Sequence, residues 1–287
     1  MRQQWRFLDG LMIALFVGLA VYATRSVWID IFALALRNDE SSYIILAAPV
    51  ALWLGWLRRE RIRYCRPSPT ALGAIVILAG WALMAIGNEY SIDLFRDTGA
   101  LVAVVGAVFT VAGKEIFLRF AAAWGALLFL IPVPGRIRHV IATPLQEASA
   151  VSTQFMLDLF AVSVERHGNM LVVNGAEVAI AEACNGMRMV AAMALIAYAF
   201  VFSFPMRLWA RLLLLGLSVP VAILANVVRL APTSILYGHS TPDIANTFHD
   251  VAGWAVLGLA LGMMWLVLAL LRYLELPLEP FRIREEA

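Results

Sequence analysis

Long apolar runs separated by short polar segments dominate the chain, and their lengths predict membrane-spanning helices. A helix needs about 20 consecutive apolar residues to cross the hydrocarbon core of a bilayer. On this basis we predict about eight spans, at approximately residues 8–28, 43–57, 71–87, 97–113, 117–131, 185–204, 210–230 and 248–271. The predicted fold class is therefore an all-α polytopic membrane protein, with residues 1–287 as a single integral membrane domain.

The segment of about residues 132–184 interrupts this pattern, and we expect it to form an insertion outside the membrane. Thr143 and Pro144 predict an N-cap followed by a first helical turn. Over residues 144–160, apolar side chains fall on one side of the predicted helix and polar side chains on the other. This distribution is typical of an amphipathic helix that lies in the membrane interface.

The end of the same insertion carries a hairpin pattern. Two short β-prone runs, 170–173 and 176–181, flank the dipeptide Asn174-Gly175. Asn-Gly between two such runs is the strongest short-range hairpin signal, because both positions of the tight turn need a positive φ. The second predicted strand leads directly into Cys184, where the next apolar run begins.

The composition supports a membrane protein: 62% of the residues are hydrophobic, 15% are charged, and the mean hydropathy is +0.82. Arg2 and Arg6 before the first apolar run resemble a signal peptide. Since more spans follow and no convincing cleavage site closes the run, we interpret it as a retained first helix. The net charge of +2 gives no reason to expect a nucleic-acid partner.

The distribution of basic residues predicts the orientation in the membrane. If eight spans alternate, one side receives 14 of the 22 Lys and Arg residues, many of them in the loop 58–66. The positive-inside rule makes that side cytoplasmic. The insertion 132–184, the end of the seventh span and the start of the eighth then face the exterior, which brings Cys184, Arg229 and His249 to one extracytoplasmic face.

The chemistry of these three side chains fits a catalytic site. A thiol at a helix N-terminus near a guanidinium is favoured as the nucleophilic thiolate, which suits Cys184. Arg229 keeps its proton and is suited to stabilising an oxyanion. We expect His249 in a first helical turn behind Thr247 as N-cap, where it would be a neutral base. Asn226 lies one turn before Arg229 on the same helical face.

Simpler interpretations of each residue are also open. Cys184 could be a small packing residue, Arg229 could complement the C-terminal end of its helix, and His249 could be a polar anchor at the interface. Cys65 and Cys184 fall on opposite sides of the predicted membrane, so a disulfide is not expected. We expect the remaining histidines to be solvated loop residues: His139, His167 and His239.

Three segments carry a resemblance to a known family. They are Glu-Ala-Cys-Asn-Gly at 182–186, Asn-Val-Val-Arg at 226–229 and His-Asp-Val-Ala-Gly-Trp at 249–254. In order and spacing they resemble the signature of the exosortase/archaeosortase family of membrane transpeptidases, and the likeness extends over about residues 40–270. Asn185 stands where the family usually has Ser, which leaves the subfamily and its substrate preference open.

The resemblance implies a cysteine transpeptidase of the bacterial cytoplasmic (inner) membrane that cleaves C-terminal sorting signals of exported proteins. Its substrates would carry a short Pro-containing motif of the PEP-CTERM type, a transmembrane helix and a basic tail. By analogy, Cys184 forms an acyl-thioester with the scissile carbonyl, Arg229 donates a proton or stabilises the oxyanion, and His249 assists proton transfer. An amine or lipid-linked acceptor resolves the intermediate. Supporting residues that could orient the substrate are Glu182, Asn226 and Arg188.

A second class of function uses the same residues without catalysis. In a transporter or a polysaccharide-export component, Glu182, Arg188 and Arg229 would line a polar path. Against this, no charge falls in the middle of a predicted span, where transport pathways usually keep one. A metal-dependent hydrolase is disfavoured because no residues have the spacing of a zinc site. We therefore expect no metal and no cofactor.

Overall fold

A computed structural model of the chain describes residues 5–38, 41–179, 186–204 and 206–273. These residues are mainly helical, with one small sheet, so the predicted all-α membrane fold is confirmed. The chain divides into two compact units, residues 1–134 and 135–287.

The described part of the first unit contains α-helices and two short 3₁₀ helices. The α-helices are α1 (Phe7–Ala23), α2 (Arg25–Arg37), α3 (Ile44–Leu57), α4 (Leu72–Glu89), α5 (Asp93–Arg119) and α6 (Ala121–Leu127). The 3₁₀ helices are Arg59–Tyr64 and Leu128–Leu130. The main interface of the unit joins α4 and α5. On α4 its buried positions are glycines at every seventh residue: Gly73, Gly80 and Gly87.

The second unit contains α7 (Gly135–Leu159), β1 (Val164–His167), β2 (Met170–Val173), β3 (Ala176–Ala179), α8 (Gly186–Ser203), α9 (Leu208–His239) and α10 (Pro242–Tyr273). Helices α8, α9 and α10 share one apolar core, because each turns a buried stripe toward the other two. Among its members are Met193, Ala197, Leu214, Ala225, Val256, Ala260 and Met264.

The strands form an antiparallel sheet in the order β1-β2-β3. The predicted hairpin is confirmed: Val173 pairs with Ala176, and both turn residues between them, Asn174 (φ 50°) and Gly175 (φ 79°), have the positive φ of a type I′ turn. The edge strand β1 was not predicted. Its sequence, Val-Glu-Arg-His, carries too little apolar character to indicate a strand, and its pairing with β2 decides its conformation.

The number of membrane spans depends on how broken helices are counted. Among the described residues, four helices are long and apolar enough to cross a membrane: α4, α5, α9 and α10. Two consecutive pairs, α1 with α2 and Ala121–Leu130 with α7, raise the number to six if each pair makes one span. The other two predicted spans correspond to shorter apolar helices, Ile44–Leu57 and Ala191–Ser203.

The predicted start of the amphipathic helix at Thr143 and Pro144 is wrong, because α7 begins at Gly135 and Pro144 lies inside it. A proline inside a helix removes one backbone donor but does not have to end the helix. The buried stripe of α7 is made of small and polar positions together with Leu157: Ala142, Ser149, Ala150 and Thr153. The large apolar side chains of Phe155 and Leu159 are exposed, on the side predicted to face the membrane.

The seventh and eighth predicted spans are both longer than the sequence indicated. Helix α9 continues past Arg229 and through Pro232 to His239, and α10 already begins at Pro242. The segment 231–247, which separates these two spans in the prediction, is therefore mostly helical, with only Ser240 and Thr241 between the two helices. A proline is tolerated in membrane helices because neighbouring groups can satisfy the backbone carbonyl that it leaves without a donor.

Candidate active site

One face of α9 buries a stripe of polar side chains. Asn226, Arg229, Thr233 and Ser234 follow one another at helical spacing, and the most exposed of the four is only 6% accessible. Burying a charged guanidinium is costly unless other groups hydrogen-bond it. Such a residue inside a membrane helix is by default a candidate for function.

Residues of the same helix hold Arg229 from both sides. One turn earlier, the Oδ1 atom of Asn226 accepts a hydrogen bond from Nη2 of Arg229 at 3.1 Å. One turn later, the hydroxyl of Thr233 donates to the backbone carbonyl of Arg229 at 2.7 Å. These contacts fix the direction of the side chain and the local backbone.

Arg229 does not lie at a helix end, which corrects the prediction. Helix α9 continues for ten residues beyond it, to His239. The helix macrodipole acts within about the last turn. Complementing the C-terminal end of α9 is therefore not the role of Arg229, and one of the two non-catalytic interpretations of this residue is removed.

His249 is also inside its helix, so the prediction of a first-turn position with Thr247 as N-cap is wrong. Helix α10 begins at Pro242, and the Thr247 hydroxyl donates back to the carbonyl of Asp243 at 2.8 Å. A hydroxyl in this position bonds within the helix and does not cap it. The predicted effect of the helix N-terminus on His249 therefore has no basis in this structure.

A neighbouring carboxylate orients the imidazole of His249. Its Nδ1 atom lies 3.1 Å from Oδ1 of Asp250, and the His249 side chain is 18% exposed. A carboxylate oxygen accepts, so Nδ1 carries the proton in this contact. Nε2 is then the nitrogen that holds the lone pair of the neutral ring, which is the atom that a general base uses.

The position of His249 on α10 continues the stripe that faces the other helices. Ala245 and Val256, four residues before and seven residues after it, are buried, and Val256 belongs to the core shared with α8 and α9. Near the same end, the Tyr237 hydroxyl of α9 donates to Oδ1 of Asn246 at 2.6 Å. His249 thus lies on the side of α10 that faces the rest of the bundle.

The start of α8, Arg229 and His249 lie at similar heights along the helix bundle. Short connections make α8 antiparallel to α9, and α9 antiparallel to α10. At about 1.5 Å per residue, Gly186 and Arg229 lie roughly 26 and 32 Å from the α8–α9 connection. Arg229 and His249 lie roughly 15 and 11 Å from the α9–α10 connection. Each difference is about one helical turn.

The other candidate residues lie partly outside the part of the chain that the structure describes. Cys184 and Glu182 lie outside the described residues, and Arg188 is in the first turn of α8. The other three histidines are solvated as predicted, but the prediction that they lie in loops is wrong, because all three lie in regular elements: His139 in α7, His167 in β1 and His239 in the last turn of α9. All three are exposed.

Two side chains that contact the site were not singled out from the sequence. Asp250 contacts His249, and Thr233 contacts the backbone of Arg229. A carboxylate directly after a candidate histidine, and a hydroxyl four residues after a candidate arginine, were the available signals. Within the described part of the chain, no three His, Cys, Asp or Glu residues are grouped so that they could hold a metal ion.

A family model described as transmembrane exosortase (Exosortase_EpsH) matches residues 28–266, which is well over half of the chain and includes α9 with Arg229 and His249 of α10. No curated protein and no solved structure matches the chain.

Proposed function

Because the chain belongs to the transmembrane exosortase family, we propose that it is a membrane-embedded cysteine transpeptidase that cleaves the C-terminal sorting signals of exported proteins. The family supports a membrane protein that processes sorting signals. The cysteine chemistry and the roles of individual residues are our proposal. These roles rest on one observation. The start of α8, which begins two residues after Cys184, lies at a similar height along the helix bundle to Arg229 and His249.

In the proposed first step, Nε2 of His249 accepts the proton of the Cys184 thiol, and the resulting thiolate attacks the carbonyl carbon of the scissile peptide bond. The buried guanidinium of Arg229 hydrogen-bonds the oxygen on which negative charge develops, and Asn226 holds that guanidinium in place. The C–N bond then breaks, and His249 delivers a proton to the departing amine. The products are an acyl-thioester on Cys184 and a released C-terminal fragment.

In the proposed second step, an acceptor nucleophile attacks the thioester carbonyl and Cys184 leaves as a thiolate. Nε2 of His249 accepts the proton that the acceptor loses, while Asp250 keeps the ring oriented through Nδ1. Glu182 and Arg188, which flank Cys184 in sequence, are proposed to orient the substrate.

The distribution of basic residues supports an active site on the extracytoplasmic face of the bacterial inner membrane. The α8–α9 connection carries Arg207 and would be cytoplasmic, so the opposite end of this bundle would face the exterior. Reporter fusions at 206–207 and at Ser240-Thr241 test this orientation. They should report opposite sides of the membrane, and a same-side result would contradict the proposal.

The decisive experiment is Cys184→Ala in cells that express a tagged substrate with a C-terminal sorting signal. We expect the precursor to accumulate and the processed form to disappear. The matched control is Cys65→Ser, because Cys65 is the other cysteine and should leave processing intact. In the wild type, a substrate–enzyme adduct that hydroxylamine releases should be trapped. Normal processing by Cys184→Ala would exclude the proposed chemistry.

A further inference from the structure

The tip of the hairpin is attached to the end of the helix that carries Arg229. The amide Nδ2 atom of Asn174 lies 2.8 Å from Nε2 of His239 and 3.5 Å from the carbonyl oxygen of Gly238. Nδ1 of His239 lies 3.0 Å from the carbonyl oxygen of Ile235. We refer to Asn174, Gly238 and His239 as the turn clamp.

The hydrogen bonds of the turn clamp are directional. A carbonyl oxygen only accepts, so Nδ1 of His239 donates to Ile235. In the neutral ring Nε2 is then an acceptor, and it receives a hydrogen from the Asn174 amide. Asn174 therefore contributes in two ways. Its backbone adopts the positive φ that the turn needs, and its side chain hydrogen-bonds residues of α9.

Backbone contact reinforces these bonds. A Cβ atom added at Gly238 would lie 2.8 Å from both Cγ1 and the carbonyl oxygen of Val173, so only glycine allows the strand to approach this closely. Behind the turn, Leu171, Val173 and Val178 of the sheet pack with Leu230 and Ala231 of α9. The sheet is thus held on α9 from the residue next to Arg229 to the last turn of the helix.

The two described elements that flank Cys184 in sequence, β3 and α8, both pack on α9. On its N-terminal side, β3 ends at Ala179, five residues before Cys184, in the sheet attached to the last part of α9. On its C-terminal side, α8 packs on α9, and the apolar core that these two helices share with α10 includes α9 residues up to Ala225. Arg229 lies between these two regions of attachment.

From this arrangement we propose that the turn clamp is a positioning element, which sets where Cys184 stands relative to Arg229. The proposal rests on the proposed function. Asn174 and His239 would not touch the reacting atoms; they hold the hairpin that precedes Cys184 in sequence. A displacement of about 1 Å between reacting groups can lower a rate by about 10²-fold, so a loosened hairpin should reduce the rate of the chemical step.

The first test uses two substitutions of His239 that separate its two hydrogen bonds. In His239→Gln, the side-chain oxygen reaches about as far as Nε2 and can still accept from Asn174. In His239→Asn, the shorter amide can still donate to Ile235 but does not reach Asn174. We expect His239→Asn to lower the maximal processing rate about tenfold with an unchanged half-saturating substrate concentration, and His239→Gln to stay within twofold of wild type.

A second matched pair tests the backbone contact on the same helix. Gly238→Ala pushes the hairpin tip away from α9, whereas an added Cβ at Gly216 meets nothing within 4 Å. We expect Gly238→Ala to reduce processing about tenfold and Gly216→Ala to leave it unchanged. Equal rates for both variants, at equal amounts of purified protein, would contradict the proposal.

The final measurement follows the reactivity of Cys184 itself, in a Cys65→Ser background, with a membrane-impermeant maleimide. If the clamp keeps Arg229 near the thiol, Arg229→Met should slow labelling about tenfold, because the guanidinium favours the thiolate. When Arg229→Met is added to the His239→Asn variant, it should slow labelling of Cys184 less than threefold relative to His239→Asn alone. These four variants form a double-mutant cycle that measures how far the effect of Arg229 on the labelling rate depends on the turn clamp. A loss of stability alone would not change that dependence.

The outcomes separate the two proposals. If Cys184→Ala abolishes processing but the clamp variants behave as wild type in all three measurements, the proposed function stands and the turn clamp has no positioning role. If Cys184→Ala processes normally, the proposed function fails. The labelling cycle still decides whether the clamp positions the thiol against Arg229, since it does not require turnover.

Discussion

Two buried surfaces of the molecule differ in composition. One is the interface between α4 and α5 in the first unit, and the other is the buried face of α9 in the second unit. Between α4 and α5, glycines let two backbones approach closely: a Cβ at Gly80 would lie 2.6 Å from the Ala103 nitrogen and 2.7 Å from the Gly99 carbonyl oxygen. On α9, the buried stripe contains Asn226, Arg229 and Thr233. One face is shaped by the absence of side chains, and the other presents charged and polar atoms.

This difference indicates that the buried face of α9 has a functional role, whereas the interface between α4 and α5 serves packing alone. Small residues at a membrane helix interface gain van der Waals contact without burying polar side-chain atoms. Burying Arg229 carries a desolvation cost, which its partners reduce but which a purely structural position would avoid. Perturbing the first kind of interface should lower stability, and perturbing the second should lower activity.

The largest effect should come from Arg229→Lys. Lysine keeps the positive charge but loses the planar fork that Asn226 orients, so we expect processing to fall by about 10²- to 10³-fold. Folded protein should accumulate at the wild-type level, measured by size-exclusion chromatography in detergent. The control is Arg207→Lys at the exposed start of the same helix, which should retain at least half of the activity. Full activity in Arg229→Lys would remove the proposed role of the guanidinium.

The next effect concerns the glycine interface. Gly80→Ala should destabilise the protein by roughly 1–3 kcal/mol, because the new methyl group overlaps the α5 backbone and the helices must separate. Gly55→Ala in α3 meets nothing within 4 Å and should be neutral or stabilising by up to about 1 kcal/mol. Thermal unfolding in detergent measures both. A Gly80→Ala variant as stable as Gly55→Ala would show that α4 and α5 pack less closely than they do in this structure.

A smaller effect is expected from Asp250→Asn. The Asp250 carboxylate accepts from Nδ1 of His249 but is 80% exposed, so solvent screens the pair. We expect a loss of threefold to tenfold in the maximal rate, corresponding to about 1 kcal/mol. The measurement is the processing rate over a range of pH. A loss of 10³-fold or more would mean that this contact is as important as the contacts of Arg229.

The smallest effect on function is expected at Cys65. Burial raises the pKa of the Cys65 thiol, although Arg119 and Arg61 act in the opposite direction, and its Sγ lies 3.2 Å from the carbonyl oxygen of Arg61. A raised pKa leaves less thiolate at a given pH, so maleimide labelling of Cys65 in a Cys184→Ala background should be slow near neutral pH and rise as the pH is increased. Rapid labelling at pH 7 would contradict the described burial.

The resemblance of three short segments predicted the family correctly, and the apolar runs predicted the fold class. The Asn-Gly hairpin was also predictable, because a two-residue turn of this type depends on local backbone preferences alone. The helix ends around Arg229 and His249 were not. Pro232 and the polar residues after it indicated a loop, but tertiary contacts on both sides of the α9–α10 connection extended the helices through it.

The polar stripe of α9 was partly readable, since Asn226 and Arg229 have helical spacing. Its completion by Thr233, and the contact of Asp250 with His249, depend on which rotamers the surrounding helices allow. The same holds for the turn clamp. Neither Asn174 nor His239 indicated a partner in sequence, because 65 residues separate them and the packing of the sheet on α9 brings them together.

By itself, the sequence determined that this chain is a helical membrane protein of the exosortase type, with a cysteine, an arginine and a histidine in a recognisable order. Hydrophobic length and local turn preferences carry that information, and they act over a few residues at a time. The tertiary structure alone decided that Arg229 and His249 lie inside long helices and that the hairpin before Cys184 is attached to α9. These features depend on burial and on contacts between distant segments, which no local pattern encodes.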